Sequence, residues 1–294
     1  MKQKVLIVGA GEIGQAMRKV LQHNKNVAVD MWDLKKSLCT DSKVLKEAVL
    51  DKDFVFLCVP SHALETVAKD VASAIGKKTI VISLTKGLER KTGKFSSEIL
   101  IKVFGINRIG ILAGPMLAEE LDMHLPTKAT FGSKPKVFAR AQKLFKNTPL
   151  TIEHCKDIKG VSIAGVIKNT YALALGIVEA LQLGANAQGV IMAMAMEEMQ
   201  LLIKRLGGKE KTALTLAGLG DLEATGHSNF SHNHSAGQEA VRSKTAKLTS
   251  EGALSMPLLL KRLGNQDLPP LLKATRAVVV QRKPAREIFL KLLK

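Results

Sequence analysis

Aromatic residues are scarce in this chain of 294 residues: nine Phe, one Trp and one Tyr make up 4%. That argues against a stacking platform for single-stranded nucleic acid, so no specific nucleic acid partner is expected. Cysteine is nearly as rare. Cys39, Cys58 and Cys155 have neither the even count of a disulfide framework nor the spacing of a metal site, which fits a reducing cytoplasm. No clean run of eighteen apolar residues occurs, because Gln182, Asn186 and Gln188 interrupt the best candidate, and no membrane span is expected. The apolar run that follows Lys4 stops at a glycine-rich turn rather than at a cleavage site, so it reads as a strand and not as a signal peptide. Acidic residues are few: 26 Asp and Glu against 44 Lys and Arg leave a net charge of +18. Such a field attracts anionic small molecules, acidic membranes or nucleic acid without distinguishing them, and much of it reads as a solvated lysine-rich surface.

What is present begins with one misplaced charge. Between Lys159 and Glu197 the chain carries only Lys168 and Glu179, in a stretch of Ala, Gly, Leu, Val, Ile and Met. Read as a helix, this stretch places Ala164, Gly165, Tyr171, Ala172 and Leu175 on the face of Lys168. A lysine there either snorkels to the surface on its four-carbon stem or is buried for a chemical reason.

Short apolar runs alternate with helical segments through the first half, the pattern of a parallel sheet flanked by helices. Strands are expected at Val5–Val8, Val27–Trp32, Phe54–Val59, Thr79–Ser83, Ile109–Ala113, Ala129–Gly132 and near Thr151. From Gly160 the strand signals stop, and long helical segments follow, broken at Gly207-Gly208, Gly218–Gly220, Gly264 and Pro269-Pro270. The expected fold is therefore α/β: a Rossmann-like parallel-sheet domain over residues 1–155, then an all-α domain over 156–294.

Gly9-Ala10-Gly11-Glu12-Ile13-Gly14 follows the first strand and opens a helix. Glycines at these positions allow a tight turn, a close approach of backbone to a pyrophosphate and close helix packing, while the helix N-terminus supplies positive potential. Asp33 ends the next strand, where a carboxylate accepts hydrogen bonds from ribose hydroxyls and repels a 2′-phosphate. That favours NAD over NADP, although Lys35 and Lys36 adjoin it. Asp30, one alternating position away from the best register, is the other candidate. Later strand ends carry Ser61-His62, Lys86 and Gly114, where open α/β sheets place ligands.

Taken in order, Gly9–Gly14, Val59-Pro-Ser-His62, Thr85-Lys-Gly-Leu-Glu89, Ala113-Gly-Pro115, Lys168-Asn169, Gly184-Ala-Asn186, Gly218-Leu-Gly-Asp-Leu222, Ser231-His-Asn233 and Glu251-Gly252 make the chain resemble bacterial-type NAD(P)-dependent glycerol-3-phosphate dehydrogenase over nearly its whole length. The resemblance implies hydride transfer between NAD(P)H and dihydroxyacetone phosphate, giving sn-glycerol 3-phosphate for phospholipid synthesis. It implies Lys168 as the acid in reduction and base in oxidation, with Asp221 orienting it and Lys86 holding the substrate. It places substrate contacts at Gly114, Ser231, His232 and Asn233. Cofactor contacts fall at Gly9, Gly11, Glu12, Ile13, Gly14, Asp33, Lys86, Ala118, His232 and Glu251.

The chain departs from the family pattern at several positions. His232 stands where the family carries an arginine, a permanently charged fork that an imidazole does not replace. Met194 likewise replaces an arginine, Met116 a serine, and Glu12-Ile13 a Ser-Trp pair. These departures keep open a related dehydrogenase for another hydroxy or keto substrate, or a non-catalytic nucleotide-binding regulator. His227, His232 and His234 are too loosely spaced for an expected metal site. Met192, Met194, Met196 and Met199 suit helical core or an interface, and the long apolar helices could pair two copies into a homodimer.

Overall fold

The computed structural model describes residues 2–40, 43–243, 245–264 and 267–294. They form two compact units, Met1–Ser162 and Ile163–Lys294. The first is built on a seven-stranded sheet: β1 (Gln3–Val8), β2 (Val27–Trp32), β3 (Phe54–Leu57), β4 (Ile80–Ser83), β5 (Ile109–Ala113), β6 (Thr127–Ser133) and β7 (Leu150–Cys155), in the order β2-β1-β3-β4-β5-β6-β7. The inner strands carry unbroken apolar runs because helices cover both faces; Val5, Ile7, Phe54, Phe56, Val81 and Ile82 are fully buried. The covering helices are α1 (Glu12–Gln22), α2 (Leu45–Ala48), α3 (Leu64–Ala72), α4 (Ser96–Phe104), α5 (Ala118–Asp122) and α6 (Pro135–Ala141). α1 shows how pattern becomes packing: Ala16, Met17, Val20 and Leu21 are spaced to lie on one face, and that face is buried.

Strands β1 to β5 run parallel, but β6 is antiparallel to β5, with Leu112 opposite Phe131, and β7 is parallel to β6. The sheet is thus mostly parallel, as expected, with a single antiparallel pairing at β5–β6. A parallel return needs a crossover long enough to run back along the strand. The only helix between β5 and β6 is the five-residue α5, roughly 7.5 Å long at 1.5 Å per residue, against roughly 17 Å for β5. β3 ends at Leu57 rather than Val59, although the Cys58 N–H still donates to Val8 O at 2.8 Å before the chain turns at Pro60.

The second unit, among the described residues, is helical throughout. It contains most of α7 (Ile158–Ala180), then α8 (Gly184–Arg205), α9 (Asp221–His227), α10 (His232–Arg242), α11 (Glu251–Leu263), α12 (Pro270–Val279) and α13 (Ala285–Leu292). By length and composition α7 could cross a membrane, yet its whole apolar window is buried within the fold, which makes it a core helix. Its neighbours approach closely because glycine faces it: a Cβ on Gly237 would strike the backbone of Leu173, and one on Gly252 that of Asn169.

A buried carboxylate ties three of these helices together. Glu198 of α8 accepts the Tyr171 hydroxyl of α7 at 2.8 Å and the Leu272 N–H at 2.9 Å, and it also accepts the Leu271 N–H, so it caps the N-terminus of α12. Burial raises the Glu198 pKa, against the lowering pull of those three donors.

Candidate active site

In the first unit the chain reverses between β1 and α1 through Gly9, whose φ of +102° favours glycine. Space is as restrictive as conformation. A Cβ on Gly9 would stand 2.5 Å from Cys58 O, and one on Gly14 would overlap Gly9 O, while Gly11 has open space around it. The turn is thus a backbone cradle at the N-terminus of α1, beside the point where the sheet order reverses between β2-β1 and β3. Asp33 closes it: Oδ2 accepts the Ala10 N–H at 2.8 Å and Oδ1 the Lys35 N–H at 2.9 Å. Asp30 is instead engaged by Lys52, which leaves Asp33 as the carboxylate facing the turn. These residues fit a dinucleotide: an open glycine, a helix N-terminus for a pyrophosphate and an acceptor for ribose hydroxyls. Glu12 and Ile13 form the first turn of α1, with Glu12 exposed. Burial pushes the neighbouring Cys58 thiol up to about 12, so it stays protonated and inert.

Lys86, just past β4, donates from Nζ to Gly114 O at 3.0 Å and is half-buried. Its backbone is steadied from the preceding residue, since Thr85 Oγ1 donates to Val59 O at 2.8 Å. The structure therefore brings Lys86 and Gly114 together at the ends of β4 and β5. Ala118 opens α5 and packs against the core. Met116 is buried in the same apolar cluster, so this departure acts as a packing residue.

In the second unit Lys168 does not snorkel: it is 4% exposed. Its ammonium lies 2.9 Å from Asp221 Oδ1 and also donates to Thr225 Oγ1. Thr225 Oγ1 in turn donates to the same Asp221 oxygen at 3.2 Å. Asp221 is held at the junction where a π-helical turn, Leu216–Gly220, runs directly into α9. The next residue, Asn169, accepts the Asn233 side-chain N–H at 3.0 Å, and Asn233 accepts the Gly252 N–H at 2.8 Å. Three segments distant in sequence, around Lys168, Asn233 and Gly252, are thereby stitched into one polar cluster under an otherwise apolar helix.

Two family models match the chain: the N-terminus of NAD-dependent glycerol-3-phosphate dehydrogenase over residues 39–139, and the C-terminus of the same enzyme over residues 157–290. Curated relatives from Moorella thermoacetica and Clostridium botulinum, both named glycerol-3-phosphate dehydrogenase (NAD(P)+), are 33% and 32% identical to it. The alignments cover 81% and 80% of this chain and 77% of each relative. The chain belongs to the NAD-dependent glycerol-3-phosphate dehydrogenase family.

Solved structures of glycerol-3-phosphate dehydrogenases agree with this chain in fold. That from Coxiella burnetii has a TM-score of 0.84 at 24% identity, covering 100% of this chain and 99% of its own. That from Plasmodium falciparum has a TM-score of 0.86 at 21% identity, covering 99% and 95%. As a member of this dehydrogenase family, the chain places its Ser231-His232-Asn233 segment at the start of α10. Ser231 is a helix cap, its Oγ accepting the His234 N–H at 3.1 Å, and His232 is exposed on the first turn. The three nearby histidines have separate surroundings: His227 lies 3.3 Å from Glu223, and buried His234 lies 2.9 Å from Glu179. Glu251 begins α11 beside Gly252. Met194 is partly exposed on α8, and of the four α8 methionines only Met199 is fully buried.

Two residues escaped the sequence reading. Thr225 lies four residues after Asp221, one helical turn away, and that spacing was the available signal. Glu198 sits in the polar-looking pair Glu197-Glu198, and nothing local marks it as buried.

Proposed function

We propose that this chain catalyses NAD(P)-dependent interconversion of dihydroxyacetone phosphate and sn-glycerol 3-phosphate, running as a reductase that supplies the backbone of phospholipids. The observation that carries this reading is the buried Lys168–Asp221–Thr225 cluster in a chain of this family. When bound, the dihydronicotinamide supplies a hydride to the carbonyl carbon. Lys168 polarises the carbonyl oxygen and donates the proton that the forming alkoxide takes. Asp221 stabilises the ammonium, and Thr225, accepting from Lys168 while donating to Asp221, fixes the direction of the donor. In oxidation the same groups run in reverse, with Lys168 as base.

In this reading the first unit carries the cofactor on Gly9, Gly11, Glu12, Ile13, Gly14 and Asp33, with Ala118 and Glu251 as further contacts. Lys86, held at Gly114 O, serves as a substrate-binding cation. Ser231, His232 and Asn233 receive the substrate phosphate, helped by the positive N-terminus of α10. Asp33 supports NAD over NADP, because its carboxylate already lies at the glycine turn and a 2′-phosphate there would meet like charge. The three free cysteines suit a reducing cytoplasm.

A steady-state assay with dihydroxyacetone phosphate, run with NADH and NADPH side by side, tests this reading. NADH oxidation is expected, with kcat/KM higher for NADH, and Lys168→Ala should reduce kcat by at least about a thousandfold. Absence of turnover in a folded, NADH-binding protein would sink the substrate assignment. Better turnover of a non-phosphorylated ketone would favour the alternative raised by His232.

A further inference from the structure

The end of the first unit opposite the glycine turn is strongly basic. Because β1, β3 and β4 are parallel and in register, the segments that precede them meet at one foot of the sheet, roughly 20 Å of strand away from Gly9. There they enclose an open hollow of about 790 Å³ lined by Lys2, Lys4, Lys52, Lys77 and Lys78, with Asp51 and Asp53 as its only acids. Asp53 is engaged by the Lys4 backbone N–H at 2.9 Å, and Lys52 is engaged by Asp30. The Gly76–Thr79 turn is pinned from behind by two guanidiniums: Arg108 donates to Gly76 O at 2.7 Å and Arg140 to Lys78 O at 2.8 Å. Exposed Lys77 and Lys78 thus project from a fixed backbone, and two further cations lie beside them.

We propose that this foot is a docking surface for an anionic phospholipid bilayer. Charge complementarity is the first support, since several lysines on one end of a unit are drawn to an acidic leaflet. The second is the company they keep. Leu50, 52% exposed, precedes β3, and Ile106, 37% exposed, precedes β5, so two aliphatic side chains stand at the same end as the lysines. Basic rim with exposed aliphatics suits a headgroup boundary, whereas no aromatic lines the hollow to stack a base. Docking at the foot keeps the glycine turn, at the other end of β1, away from the bilayer. The proposal concerns a surface and not a span, and it does not depend on which substrate the enzyme reduces.

The test is flotation of the full chain with vesicles of phosphatidylcholine, with or without phosphatidylglycerol. Wild-type protein should float only with the anionic vesicles, and raised salt should release it. The triple variant Lys2→Glu, Lys77→Glu, Lys78→Glu should bind on the order of a hundredfold more weakly, with NADH turnover unchanged. A control with the same charge change in the second unit, Lys273→Glu, Lys283→Glu, Lys291→Glu, should still float. Failure of the wild type to float, equal loss in both triple variants, or binding to duplex DNA with none to vesicles would each overturn the proposal.

Discussion

Thr225 gives the buried ion pair a direction, which the proposed acid role of Lys168 requires. An ammonium beside a carboxylate is held by charge alone, but a hydroxyl that accepts from Lys168 and donates to Asp221 adds direction. Thr225→Val keeps the shape and removes both bonds. Hydrogen bonds to charged groups contribute roughly 1.5–3 kcal/mol, so kcat should fall by about ten- to a hundredfold while the KM for dihydroxyacetone phosphate barely moves. Steady-state kinetics decide it, and an unchanged kcat would remove Thr225 from the mechanism. Gly14→Ala tests the proposed cofactor turn. Its Cβ would overlap the Gly9 carbonyl, a backbone atom that cannot turn aside, so the turn must deform and NADH affinity should drop by more than tenfold. Titration of NADH fluorescence measures this; wild-type affinity would show that the turn does not hold the cofactor. Lys168 was conspicuous because charge is scarce around it and a buried charge demands a partner, whereas Asp221, with Glu223 beside it, was singled out only by the family resemblance. Thr225 was not, because threonine satisfies so many unremarkable roles in helices.

At the scale of elements, the strands were legible because burial on both faces leaves long β-branched runs that few other structures tolerate. Their direction was not. The apolar pattern of β6 reads the same forwards and backwards, and only the shortness of α5 decides it. Helix caps supplied from afar were equally hidden: α12 begins at Pro270, and its cap, Glu198, lies on another helix, 73 residues before the Leu271 N–H it accepts. That cap has a pH signature. Because burial leaves the Glu198 pKa above its unfolded value, near 4.5, its contribution to stability is fully present below that pH and declines as pH rises through the folded pKa. Glu198→Gln stays neutral at every pH. It sacrifices part of the cap, about 1–2 kcal/mol, but should regain ground relative to wild type as pH climbs from 4.5 towards neutrality. Thermal unfolding of both proteins across that range is the measurement. A gap in Tm that stays constant or widens with pH would show that Glu198 is not strained by its charge.

For the whole molecule, the surplus of 44 basic over 26 acidic residues is the dominant long-range fact, and both proposed ligands, a dinucleotide and a phosphorylated ketone, are anions. At roughly 0.01 M salt the Debye length is about 30 Å, so an approaching anion feels the summed field; at roughly 0.1 M it shrinks to about 10 Å and only nearby groups count. Steering of this kind acts on encounter and binding and leaves the proposed proton transfer at Lys168 alone, because that ammonium is buried against Asp221 and shielded from mobile ions. Raising salt across this range should therefore lower kcat/KM for dihydroxyacetone phosphate by about tenfold and leave kcat within a factor of about two. A parallel measurement with an uncharged ketone, if it turns over at all, should show a flat kcat/KM. Salt-dependent kcat would place the electrostatic demand at the reacting atoms, and a flat kcat/KM for the phosphorylated substrate would mean that the positive charge is arranged away from its path, leaving the basic foot of the sheet as the field's main consequence.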